Sequence, residues 1–169
     1  MVSISVKVDR KGPDLAERAK KIRAALAKGP YAVKVGFPAG AVAGDLISIA
    51  YWNHEGTNRA KGEPFKNANG KFGISGPIPP RPFITVAMYK GRNEIRQHLI
   101  AETEALIAGR LDLKAGLERV GMLGKDLIQV QITSNMGPPN SPMTIELKGS
   151  SGTLRDSGRM RASVTYVFD

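Results

Sequence analysis

The chain has 169 residues, no cysteine, two histidines and a formal net charge of +10, with 41% hydrophobic and 24% charged residues. These are the proportions of one ordinary globular domain spanning 1–169, neither wholly disordered nor embedded in a membrane. They exclude disulfides, thiolate metal sites, cysteine nucleophiles and a histidine-rich metal centre within one chain, so no cofactor is expected.

Residues Val2, Ile4, Val6 and Val8 alternate with Ser3, Ser5 and Lys7, the two-residue period of a strand with one buried face. Asp14 and Glu17 make a capping pair for an amphipathic helix carrying Leu15, Ala19, Ile22 and Leu26, which ends near Gly29-Pro30. Tyr31, Val33, Val35 and Phe37 restore alternation, giving a second strand able to pair with the first in a β-α-β opening. Asp45 is placed to cap a second helix through Leu46, Ile47, Ile49, Ala50 and Trp52, stopped by Gly56.

From Thr57 to Pro82 the chain is rich in Gly, Pro and basic residues and has little periodicity, which predicts a long loop or extended hairpin. Such a segment is expected to order against a neighbouring molecule. Phe83 to Ala108 favours helix, with an interruption expected at Gly91, and Asp112 caps a further helix from Leu113 to about Ile132. Gly116, Gly121 and Gly124 lower the intrinsic stability of that helix and suit close packing. Gly137 to Pro142 reads as a turn, Met143 to Leu147 as a short strand, and Ser163 to Phe168 as a closing strand. Asp156 and Ser157 are placed to cap a short helical turn at Arg159 to Arg161, with Leu154, Met160 and Val164 as its buried contacts. The fold class is α+β: a small mixed sheet of N- and C-terminal strands packed on several helices, with a long irregular loop.

The opening MVSISVKVDRKG lacks the basic-then-apolar order of a signal peptide, and no apolar run approaches the roughly 18 residues that span a bilayer. A cytoplasmic origin is the expectation. The net charge admits contact with nucleic acid, because a basic surface attracts phosphate whatever the base sequence. Dispersed basic residues equally solvate a surface or face an acidic neighbouring subunit, and both readings stand.

Three segments stand apart: WNHEGT at Trp52 to Thr57, IPPRPF at Ile78 to Phe83, and KGSSGTLRDSGRMRASVTY at Lys148 to Tyr166. Pro79, Pro80 and Pro82 stiffen an extended approach, and Pro82 suits the first position of the following helix. Arg81 is expected to make a polar contact with a neighbour. Phe83 is read first as a plug in the core, and with Trp52, Arg59, Lys61 and Arg81 it also belongs to the candidate subunit or partner interface. The candidate DNA-facing residues are Lys61, Lys66, Lys71, Arg155, Arg159 and Arg161.

Catalytic signatures are weak. His54 beside Glu55, with a serine such as Ser157, suggests a hydrolase only loosely, and a helix-end surface is the simpler reading. Lys148 to Gly152 lacks the order of a phosphate-binding loop, so a turn suffices. A basic nucleic-acid-binding module is the alternative from another class. It lacks a helix-turn-helix, zinc-finger spacing or aromatic sheet signature, and aromatic content is 6%.

Taken together and in order, W-N-x-x-G-T, P-P-R-P-F and the C-terminal K-G-S…L-x-D-S-G-x-M-x-x-S-V-x-Y resemble the tail-completion (neck) proteins of long-tailed phages. The resemblance is to the HK97-type and lambda minor tail protein Z-like groups of phage virion morphogenesis proteins, and it runs from about Val35 to Phe168. The chain has Asp156, Ser157 and Gly158 where such families often have Asp-Thr-Gly, and His54, Glu55, Gly56 and Thr57 where they commonly have Glu-Phe-Gly-Thr. The resemblance implies a small α+β structural protein of the virion, assembled in the host cytoplasm without catalysis. It implies a homo-oligomeric ring, a hexamer, between the head connector and the tail terminator or tail tube. The net charge of +10 separately suggests that DNA traverses a lumen lined by the candidate DNA-facing residues.

Overall fold

The computed structural model describes residues 15–29, 32–58, 64–66, 70, 72–74, 76–155 and 157–169. In chain order the elements are α1 (Leu15–Lys28), β1 (Val33–Gly36), α2 (Gly44–Glu55), β2 (Pro64–Lys66), β3 (Phe72–Ile74), α3 (Phe83–Ile107), α4 (Leu113–Thr133), α5 (Pro142–Lys148), α6 (Arg159–Ala162) and β4 (Thr165–Phe168). The architecture is α+β. β1 and β4 pair antiparallel, with Val33 opposite Phe168 and Gly36 opposite Thr165, while β2 and β3 form a separate antiparallel hairpin.

A two-stranded sheet is marginal alone and needs a helical layer against its apolar face. α4 supplies that layer through its glycines. A Cβ built at Gly121 would lie 2.8 Å from the Tyr166 ring and 2.9 Å from Val33 Cγ2, and one at Gly124 would lie 3.1 Å from Val35 Cγ2. The missing side chains on α4 therefore let β1 and β4 settle onto its backbone. Gly91 does the same between the two long helices, where an added Cβ would meet Leu127 Cδ1. α3 runs unbroken through Gly91, so the expected interruption is corrected: the glycine serves helix contact and creates no kink.

Asp112 caps α4, its Oδ1 accepting from the Ala115 amide at 2.7 Å, and Arg119 pairs with Glu102 at 3.3 Å toward the same end of the α3–α4 hairpin. One cluster of buried side chains then joins α2 (Ala50), α3 (Phe83, Ala87), α4 (Ile128, Ile132), α6 (Met160), Leu154 and Val164. Leu154, Met160 and Val164 are buried as the sequence suggested.

Several expectations are corrected. Met143 to Leu147 is part of helix α5, started by Ser141, whose Oγ accepts from the Thr144 amide at 3.2 Å, and ended by Gly149 at φ +71°. Asp45 lies inside the first turn of α2 behind Ala43, where a negative charge suits the helix dipole. Ser157 does not cap α6, whose N-cap is Gly158 with no side-chain bond. Among the described residues β1 pairs with β4. The expected strand at 2–8 and the capping residue Asp14 lie outside the described residues. On α1 the apolar stripe is only partly covered, with Ile22 half-buried and Leu26 44% exposed.

The two glycine contacts predict different responses to alanine. At Gly121 the obstacles are an aromatic ring and a β-branched side chain fixed on strands, so Gly121→Ala should destabilise by about 1–3 kcal/mol in urea unfolding. At Gly91 the obstacle is the end of one leucine side chain, Leu127 Cδ1, Cδ2 and Cγ, with no backbone atom among them, and the gain in helix propensity of up to about 1 kcal/mol offsets part of its displacement. Gly91→Ala should stay within about 1 kcal/mol of the parent, and equal losses at both sites would contradict this reading.

Candidate functional site

The three singled-out segments are distant in sequence, and the backbone brings them to one place. α2 ends at Gly56, which takes φ +79° and donates its amide to Trp52 O at 2.9 Å. The chain then turns back so that the Thr57 amide donates to Ile78 O at 2.9 Å, and the Ile78 amide donates to Thr57 Oγ1 at 3.0 Å. The Arg81 amide donates to Asn53 O at 2.8 Å. The first two segments are thus laced together by backbone bonds.

Arg81 carries the connection onward. Its side chain is 3% exposed, and its Nε donates to Pro138 O at 2.8 Å while Nη2 donates to Pro139 O at 3.4 Å and Asn140 Oδ1 at 3.2 Å. Asn140 Nδ2 and Lys148 Nζ both donate to Gly152 O, at 3.0 and 2.9 Å, and the Thr153 amide donates to Asn135 Oδ1 at 3.0 Å. The third segment is held to the first two through this α4–α5 turn. Burial lowers the Arg81 pKa from the usual arginine value, but a guanidinium keeps its charge at neutral pH.

Between these segments lies a groove of about 1120 Å³. Leu46, Ile49, Trp52, Ile78, Leu154 and Met160 give it apolar walls. Arg81, Lys148 and Arg159 also line it, and no Asp or Glu does so among the described residues.

The predicted site residues divide as follows. Trp52 stands on the groove wall at 46% exposure, open to a partner. Phe83 is fully buried, edge-to-face with Phe37 at 6.2 Å and His54 at 5.3 Å, so it is a core plug and its inclusion in an interface is corrected. Arg81 is likewise corrected in part: its contact is with its own chain's α4–α5 turn. Arg155, Arg159 and Arg161 are exposed, and Arg159 pairs with Asp45 at 3.2 Å. Arg59, Lys61 and Lys71 lie outside the described residues, as does the side chain of Lys66, whose backbone belongs to β2.

His54 points inward, its side chain 16% exposed, with Nε2 3.3 Å from Thr85 Oγ1 and Nδ1 enclosed without a partner. This corrects its reading as helix-end surface. His54 is not part of the groove wall, whereas Ser157 is, so the structure does not join them in one site. Asn135 and Asn140 went unnoticed in the sequence, and Asn53 and Thr57 entered only as letters of the first segment. Their part lies in holding backbone groups across 12 or more residues of chain, and polar residues in turns carry no local signal of such a partner.

Compared with family models, with curated proteins and with solved structures, the chain finds no match. Among the described residues no three His, Asp or Glu side chains could hold a metal ion, and no helix is long and apolar enough to cross a membrane.

Gly56 tests the lacing most simply. A Cβ there would sit 2.8 Å from Ile78 O and 2.9 Å from Pro80 N, both backbone atoms, in a left-handed conformation that costs a non-glycine residue roughly 1–2 kcal/mol. Gly56→Ala should lower stability by about 2–4 kcal/mol and shift the emission of Trp52, the only tryptophan, toward the red. Unchanged emission and stability would contradict the geometry.

Proposed function

We propose that this chain is a structural protein of a tailed-phage particle. It completes the tail at its head-proximal end and joins it to the connector as a ring of identical subunits, without catalysing a reaction. The observation that carries the reading is the convergence of Trp52–Thr57, Ile78–Phe83 and Lys148–Tyr166 on one groove. These are the segments on which the resemblance to tail-completion proteins rests.

The surface suits repeated association. A ring is closed by a heterologous contact, in which two different patches of one subunit meet on its neighbours. Tyr51 and Trp52 are exposed on α2, while Leu99, Ile100 and Ile107 are exposed on α3 and Met122 and Val130 on α4. In the ring these exposed side chains would lie against neighbouring subunits. The β2–β3 hairpin within the long loop is a further projection for a neighbouring subunit, the connector or the tail terminator. Arg155, Arg159 and Arg161 lie near one another in sequence and provide the DNA-facing part of the reading.

Native mass spectrometry and negative-stain imaging of the purified chain should give a closed ring of about six copies, each 18.1 kDa. A chain that stays monomeric at every concentration and binds DNA as its sole property would overturn the proposal in favour of a nucleic-acid-binding module. For DNA in the lumen, binding to a duplex should weaken steeply as salt rises. Replacing Arg155, Arg159 and Arg161 together by alanine should flatten the plot of log affinity against log salt by about 2–3 units. Affinity indifferent to salt would contradict the lumen assignment.

A further inference from the structure

We propose that the groove is a docking site for an acidic segment of a partner protein, whose Asp or Glu carboxylate pairs with the buried Arg81 while its apolar side chains lie against Trp52 and Leu154. The inference concerns the single chain and stands or falls apart from the ring reading, because one subunit contains the whole groove.

Arg81 is the reason. At 3% exposure it is nearly out of water, and buried charges in proteins are ordinarily neutralised by an opposite charge. Its hydrogen bonds go to two carbonyl oxygens and a side-chain amide, which satisfy N–H groups but carry no net charge. None of the described carboxylates forms an ion pair with it. Nε and Nη2 are engaged, and Nη1 donates to no described residue although Arg81 lines the groove. A guanidinium with one edge held and the other open is arranged to receive a carboxylate.

The surroundings select the occupant. Arg159 stands on the same walls, and no Asp or Glu is among the described lining residues. The Arg159–Asp45 pair is more than half exposed on both sides, so it holds Arg159 weakly and leaves it able to turn toward an incoming anion. A second copy of this chain, at +10, suits the exposed apolar side chains of α3 and α4 better than a groove lined by Arg81 and Arg159. Nucleic acid is disfavoured by the walls: phosphates are met by exposed cations, whereas Arg81 is buried and the groove lining includes Leu46, Ile49, Trp52, Leu154 and Met160. An acidic peptide with apolar neighbours answers both the charge and the apolar lining.

The test selects a random dodecapeptide display library on the full chain, then titrates the synthesised winners by isothermal titration calorimetry. Winners should carry an Asp or Glu beside apolar residues, and changing that acid to its amide should weaken binding about tenfold or more. Trp52→Ala and Arg159→Ala, both at exposed positions, should weaken it several-fold without loss of folding. The proposal is overturned by a library that yields no enriched sequence, by winners indifferent to the acid-to-amide change, or by binding unaffected in these variants. Competitive displacement of the peptides by a 20-base-pair duplex would also overturn it, assigning the groove to nucleic acid instead.

Discussion

The side chain of Arg81 is the constraint on which the site depends. It leaves the chain at the last bend before α3, where flanking prolines restrict the backbone, and its guanidinium ties the α4–α5 turn to the end of α2. Two residues later Phe83 enters the core, fully enclosed and edge-on to Phe37 and His54. A polar anchor and an apolar anchor on consecutive turns thus fix both the position and the direction of α3. Loss of the arginine would leave carbonyls of Pro138 and Pro139 without a donor, which is costlier than never having made the bonds.

The rest of the fold gives this anchor something rigid to hold. α3 and α4 approach closely at Gly91, and α4 receives the β1–β4 sheet on Gly121 and Gly124, so the three layers are closely packed. α2, α5 and α6, with the loops before α3 and α5, line the groove. A subunit of a mechanical ring needs this arrangement, in which a stiff core presents a fixed surface.

Local patterns made most of the frame legible in the sequence. Alternation placed β1 and β4, three-to-four spacing placed α1 to α4, and Asp112 and Gly56 marked helix ends by chemistry that acts within a few residues. The mistakes came where two local signals competed. Met143 to Leu147 alternates like a strand, yet Ser141, Pro142 and Gly149 are the start and stop of a helix, and those end signals prevailed over a five-residue pattern. Gly91 was read as a helix breaker because propensity ignores the neighbour it makes room for. The groove was legible only as three unusual segments. That they share a wall follows from Arg81 reaching a turn more than 50 residues away, a contact that no spacing in the sequence encodes.

The account's central claim is that Arg81 makes one structure of the three segments, and amide hydrogen exchange in Arg81→Met reads this directly. Thr57, Ile78 and Thr153 donate their amides across the junction, to Ile78 O, Thr57 Oγ1 and Asn135 Oδ1. With the guanidinium gone, all three amides should exchange faster together by about tenfold or more, while amides in the middle of α4 keep their protection. Faster exchange confined to residues next to Arg81, with Thr153 as protected as before, would contradict the claim.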